Sequence, residues 1–267
     1  MPDLFSVEGK TALVTGGSRG IGFMIAGEYL KAGLARVYIC ARKAEACDAA
    51  AKELSQLGDC VSVPADVGEL DGVEKVAQAI EERESKLHLL VNNAGTAWGA
   101  SVESYPMPQV DRVLQVNVRA VFHMTQRLLP LLRAAATADD PARVINIGSI
   151  DGLAIPITQN YAYSASKAAV HMLTRHLAHA LVRDHINVNA IAPGLFPTRM
   201  TRWAFDSPEI QRQVVEGIPM GRPGTPEDIG GTAIYLSARA SAYLTGVVIP
   251  VSGGLATIDA TAAVEVG

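Results

Sequence analysis

"TGGSRGIG", residues 15–22, follows a short β-branched run, "TALVT" (11–15), and opens onto a helical pattern. Glycines at 16, 20 and 22 allow a tight turn and a close approach of backbone to a ligand. A strand, a glycine turn and a helix in that order offer free N–H groups and a positive dipole end to a pyrophosphate. The spacing is G-x-x-x-G-x-G rather than the commoner G-x-G-x-x-G, and such glycines also serve strand-to-helix packing. Its place at the first βα junction makes dinucleotide binding the expected reading.

Working outward, six more short apolar runs read as strands: "RVYICA" (36–41), "CVSVP" (60–64), "LHLLVN" (87–92), "ARVINI" (142–147), "INVNAIA" (186–192) and "GVVIPV" (246–251). They alternate with longer helical patterns such as 72–85 and 163–182, the signal for βαβ units and a parallel sheet covered on both faces. No linker, composition shift or repeat divides the 267 residues. One α/β domain is expected. Between Pro193 and Pro226 the chain is rich in Pro, Gly, Met and Trp without a clear strand, the character of a binding lid, placed at about 195–225.

Composition excludes several classes. Apolar residues make up 49% and charged ones 19%, ordinary for a globular core. A net charge of −4 argues against a nucleic-acid partner. The charge-free stretch from Ala240 to Ile258 contains Pro250 and three glycines, which disfavours a membrane helix. "MPDLFSVEGK" has no apolar core of an export signal, so a cytoplasmic protein with free, buried thiols at Cys40, Cys47 and Cys60 is expected.

The second strand ends in "CARK". An NAD site usually carries an acidic residue there, holding the ribose 2′-OH. Arg42 and Lys43, with Arg19 in the glycine turn, would instead pair with a 2′-phosphate; the alternative is solvated surface cations. NADP(H) is therefore the expected cofactor. Asp66, after the third strand, suits a polar contact with adenine.

"NYAYSASKAAV" (160–170) holds two tyrosines and one lysine. Residues four apart share a helix face, so Tyr163, not Tyr161, partners Lys167. A free phenol has a pKa near 10, and a neighbouring ammonium, together with an oxidised nicotinamide, should lower it toward a useful general base. An exposed surface pair is the plainer alternative. Ser149 in "INIGSIDG" and "NNAG" (92–95) fall at strand ends, where open sheets bind ligands. Asn117 lies inside an apolar helical pattern that it fits poorly, either for a buried hydrogen-bonding task or to bend the helix. His171, His176 and His179 share a helix without an acidic ligand, and are read as surface or subunit-contact residues rather than a metal site.

In this order and spacing, "TGGSRGIG", "NNAG", Asn117, Ser149, the Y-x-x-x-K of Tyr163 and Lys167, and "PGLFPT" (193–198) closely resemble the short-chain dehydrogenase/reductases over nearly the whole chain. The resemblance implies a doubly wound Rossmann fold with a seven-stranded parallel sheet. It implies a catalytic tetrad: Tyr163 exchanging a proton with the substrate oxygen, Ser149 hydrogen-bonding that oxygen, Lys167 holding the nicotinamide ribose and depressing the tyrosine pKa, and Asn117 ordering a water. It also implies a cofactor site built from Gly16, Ser18, Arg19, Gly20, Ile21, Gly22, Arg42, Lys43, Asp66, Val67, Asn93, Ala94, Gly95, Tyr163, Lys167, Pro193, Gly194, Phe196 and Thr198, with Gly194 and Thr198 orienting the carboxamide. No metal is implied, and a homotetramer or homodimer through the long helices is.

Within the family, "NNAGTAWGASVESYP", "CARKAEAC" and "PARVINIGS" look most like bacterial NADPH-dependent 3-ketoacyl reductases of the rhamnolipid-associated type. The implied substrate is a 3-ketoacyl thioester on acyl carrier protein or coenzyme A. Phe196, Met200, Trp203, Phe205 and Met220 could cover an acyl chain, or be plain core. Asp151 points the other way, toward a sugar, polyol or steroid alcohol. A non-catalytic NADP(H)-binding regulator is the reading from a different class. Residues 255–267 extend beyond the usual end of the fold.

Overall fold

The computed structural model describes residues 4–156 and 158–256. Seven parallel strands form one sheet: β1 (Thr11–Thr15), β2 (Arg36–Ala41), β3 (Cys60–Pro64), β4 (Leu89–Asn92), β5 (Ala142–Ile147), β6 (Ile186–Pro193) and β7 (Val248–Val251). Their order is β3-β2-β1-β4-β5-β6-β7. Eight helices connect and cover them: α1 (Gly20–Lys31), α2 (Ala44–Leu54), α3 (Leu70–Glu81), α4 (Met107–Leu114), α5 (Ala120–Ala135), α6 (Tyr161–Leu181), α7 (Pro208–Glu216) and α8 (Pro226–Ser237). This is the doubly wound fold expected from the sequence.

Alternate strand residues enter two cores, as a pleated sheet requires. Ala12, Val14, Val37, Ile39, Leu89, Val91, Ile145 and Ile147 face the apolar sides of α1, α2 and α8. Leu13, Tyr38, Leu90, Val144 and Val188 face α3, α5 and the end of α6. Burial on both faces explains why the strands read as unbroken apolar runs.

Four strands match their expected bounds: β1, β2, β3 and β5. β4 starts two residues late, at the Ala12–Leu89 register, because the Leu87 N–H turns aside to bond the Leu131 carbonyl. β7 loses its expected first residues because Gly246 adopts φ +77° and its N–H bonds the Val188 carbonyl. Between α4 and α5 the helix widens into a π segment, Gln115–Arg119, centred on Asn117. The segment 195–225 holds a 3-10 turn (Arg202–Phe205) and α7. Most of the expected C-terminal extension, 257–267, lies outside the described residues.

The sheet order reverses between β1 and β4. Loops leaving the carboxyl ends of those two strands diverge there and leave a crevice, the place where open α/β sheets take ligands.

Candidate active site

The crevice is a cavity of about 730 Å³ along the carboxyl edge of the sheet. At its centre lies the glycine turn. Gly16 has φ +68°, and a side chain there would meet Ala94 Cα and Asn93 Nδ2, each at 2.9 Å. Gly20 has φ +58° and begins α1, whose N-cap, Arg19, makes no side-chain capping bond. The first N–H groups of α1 are thus available to an anion.

Gly22 is set back from the cavity wall. A Cβ on Gly22 would collide with Asn93 Nδ2 and lie 2.6 Å from the Gly16 carbonyl, so this glycine lets α1 pack on the turn. Asn93 Nδ2 donates to the Thr15 carbonyl at 2.8 Å, and the Asn93 and Ala94 N–H groups both bond Thr15 Oγ1 at 2.9 Å. The "NNAG" stretch is therefore fastened to the end of β1 across the switch point. Asn92 turns inward, bonding Thr125 Oγ1 and Asn146 Oδ1.

One end of the cavity is cationic. Arg19, Arg42 and Lys43 line it, are exposed, and enter no described ion pair. Ser18, Ile21, Val67 and Asp66 complete this end. Asp66 is already engaged: Oδ2 accepts from Arg112 Nη2 at 2.8 Å and Oδ1 from the Gly68 N–H at 3.0 Å. Arg112, from α4, itself lines the cavity and went unrecognised in the sequence. Its partner is 46 residues away in the chain, so no local pattern marks it.

At the other end Ser149, Tyr163 and Lys167 meet. Ser149 stands just beyond β5 and Tyr163 in the first turn of α6. Lys167 Nζ sits 5.5 Å from the centre of the Tyr163 ring and donates to the Ile147 carbonyl at 2.7 Å. Tyr161 points away, edge-on to Tyr105 with ring centres 5.7 Å apart. The helix-face argument for Tyr163 agrees with this placement.

The expected electrostatics of the tyrosine are reversed. Burial pushes the Tyr163 phenol up to about 12; Ser149 opposes this and the Asp151 carboxylate adds to it. Burial also pulls Lys167 down to about 8, against Asp151. The ammonium lies over the ring and is spent on a backbone carbonyl, so it does not depress the phenol as its sequence spacing suggested. Desolvation of the charged form outweighs a neighbouring charge here.

Asn117 is 1% exposed and does not reach the cavity wall. Its Oδ1 accepts from the Thr96 N–H, and its Nδ2 donates to the Thr96 carbonyl and to Ser166 Oγ, all at 2.9 Å. Ser166 in turn donates to the Tyr163 carbonyl at 2.7 Å. The side chain clips the loop after β4 to the turn of α6 that carries the tyrosine, and the π segment aims it there.

His171 corrects the surface reading. It is 3% exposed, whereas His176 and His179 are exposed. Its ring fills the space beneath Gly148, and a Cβ on Gly152 would lie 2.9 Å from its Cε1. Burial lowers its pKa, so it stays neutral. Among the described residues no group of three or more His, Cys, Asp or Glu could hold a metal ion.

The roof is formed by the segment after β6. Pro193, Gly194, Phe196 and Thr198 line the cavity, as do Met200, expected in the lid, and Arg199, which the sequence reading left out of the site. Phe196 is 2% exposed and belongs to the core, pressed against Gly224. Met200, Trp203 and Met220 remain exposed. Cys40 and Cys47 are buried free thiols and Cys60 is half-buried. No helix of the described residues is long and apolar enough to cross a membrane.

This geometry has known relatives. The family model described as enoyl-(acyl carrier protein) reductase matches residues 16–256. A rhamnolipids biosynthesis 3-oxoacyl-[acyl-carrier-protein] reductase of Pseudomonas aeruginosa is 54% identical over 254 residues, covering 95% of this chain and 99% of the relative. A gluconate 5-dehydrogenase of Gluconobacter oxydans is 35% identical, over 95% of this chain and 97% of its own. The solved active-site complex of Pseudomonas aeruginosa RhlG with NADP superposes with a TM-score of 0.92 at 53% identity, covering 96% of this chain and all of the other. The family model over residues 16–256 and the relative 54% identical over 95% of the chain show that the chain belongs to the short-chain dehydrogenase/reductase family of oxidoreductases.

Proposed function

We propose that the protein is an NADPH-dependent reductase that converts a 3-oxoacyl thioester to the 3-hydroxy compound, with Tyr163 as proton donor. One observation carries this reading: one cavity has cations without an ion pair among the described residues at one end and Ser149, Tyr163 and Lys167 at the other. The residues fit NADP(H). Arg42, Lys43 and Arg19 would hold the 2′-phosphate, the first turn of α1 the pyrophosphate, and Gly194 and Thr198 the carboxamide. When bound, the cofactor supplies the hydride.

The chain's own residues handle the proton. A phenol held near 12 keeps its proton at neutral pH, so Tyr163 is set to give it to the oxygen of a carbonyl as that oxygen becomes an alkoxide. Ser149 hydrogen-bonds the same oxygen and stabilises its developing charge. Lys167, still charged at neutral pH, holds the nicotinamide ribose. The segment 195–225 closes over the thioester as a lid, excluding water. The 3-oxoacyl substrate is favoured by the 54% identity to the Pseudomonas reductase, with acyl carrier protein or coenzyme A as carrier. A cytoplasmic homotetramer or homodimer accompanies this reading, for which Phe122, Met172 and Val182 provide exposed apolar positions on or beside α5 and α6.

A second reading, reduction of a sugar-acid ketone, is favoured by Asp151 and by the gluconate 5-dehydrogenase relative. The test compares kcat/KM for NADPH-dependent reduction of a 3-oxoacyl-coenzyme A, a 3-oxoacyl carrier protein and 5-ketogluconate. Turnover of a thioester well above the sugar acid is expected. The reverse order would replace the acyl reading with the second.

A further inference from the structure

Beside the tetrad, the loop after β5 and the first turn of α6 are joined at one point. Ser149 caps the 3-10 turn Ile150–Gly152, its hydroxyl accepting from the Asp151 N–H at 3.1 Å. The Asp151 carboxylate accepts from Asn160 Nδ2 at 2.8 Å. Asn160 is the N-cap of α6, and its carbonyl accepts from the Tyr163 N–H at 2.8 Å. The path Ser149, Asp151, Asn160, Tyr163 thus links, bond by bond, two residues that line the cavity.

The pairing is a costly way to fasten a scaffold. Asn160 Oδ1 is buried without a hydrogen-bond partner among the described residues, which destabilises the fold. Two packed apolar side chains would hold loop to helix without that cost. The carboxylate also acts on its neighbours, favouring the neutral form of Tyr163 and the charged form of Lys167.

We propose that the Asp151–Asn160 hydrogen bond is a positioning clamp that holds the Ser149 turn in register with the turn of α6 that carries Tyr163. This rests on the proton-donor reading of Tyr163.

Steady-state kinetics with a short 3-oxoacyl-coenzyme A and NADPH test it. Asp151→Ala and Asn160→Ala should each lower kcat by about tenfold with KM little changed, since a displaced donor costs rate more than binding. The double variant should be no slower than either single, because both remove one bond. Asp151→Asn keeps an oxygen to accept from Asn160 and should regain most of the kcat. NADPH binding followed by fluorescence should match the parent in all of them, which shows that they fold.

Additive losses in the double variant, or an Asp151→Asn enzyme as slow as Asp151→Ala, would overturn the clamp. Tyr163→Phe run alongside separates the two claims. If that variant is inactive while Asp151→Ala matches the parent, the clamp alone falls. If it keeps the parent rate, the proton-donor reading falls and takes the clamp with it.

Discussion

Asn117→Ala tests whether the π segment exists to deliver one side chain. The change removes three hydrogen bonds, two to the Thr96 backbone and one to Ser166 Oγ, from a residue that is 1% exposed. A buried polar group left without a partner costs about 1–3 kcal/mol. Thr96 is half-buried and water can recover part of its loss, whereas Ser166 is fully buried and keeps only its bond to the Tyr163 carbonyl. Counting Ser166 fully and Thr96 in part, and crediting alanine with its better helix propensity, gives a net loss of about 2–3 kcal/mol. For a domain of this size that is roughly 4–12 °C in Tm. Ser166→Ala removes only one of the three bonds and should cost about 1 kcal/mol. The double variant should be less destabilised than the sum, because the two changes share a bond. Calorimetry on the apo protein reads all of this. A Tm within about 1 °C of the parent, or strict additivity of the two losses, would refute the clip.

Three further outcomes follow from the site. The kcat/KM for ketone reduction should be level at neutral pH and fall above about pH 8, as Lys167 loses its proton; Tyr163, held near 12, keeps its proton across that range, and Lys167→Arg should remove the limb. Arg42→Asp should lower the preference for NADPH over NADH by roughly tenfold to a hundredfold, measured as the ratio of kcat/KM values; an unchanged ratio would take Arg42 out of the phosphate site. Gly22→Ala would force its Cβ to within 2.6 Å of the Gly16 carbonyl, a strain of about 1–3 kcal/mol. It should weaken NADPH binding by about tenfold, read by fluorescence titration; parent affinity would show that the turn yields without harm.

Much of the fold was legible because parallel strands covered on both faces carry their signal locally. "RVYICA" and "ARVINI" are apolar throughout and bounded by turns, and both strands start and stop where expected. The glycine turn was readable for a related reason, since positive φ at Gly16 and Gly20 leaves few other residue types possible. The pairing of Tyr163 with Lys167 needed only helical spacing. What the sequence hid depends on contacts between distant segments. The Arg112–Asp66 pair joins α4 to the loop after β3. His171 looks like any helix-face histidine until the backbone at Gly148 and Gly152 closes over it. The sign of the Tyr163 shift was misjudged because spacing gives proximity to a charge but not the depth of burial, and burial wins here.

The central claim is that the Tyr163 hydroxyl supplies the proton as hydride moves. Single-turnover reduction of a 3-oxoacyl-coenzyme A by enzyme preloaded with NADPH tests it most directly, comparing the parent with Tyr163→Phe. The account predicts a fall in the hydride-transfer rate of about 10²–10⁴-fold with NADPH affinity unchanged. A Tyr163→Phe enzyme that transfers hydride at the parent rate would contradict it.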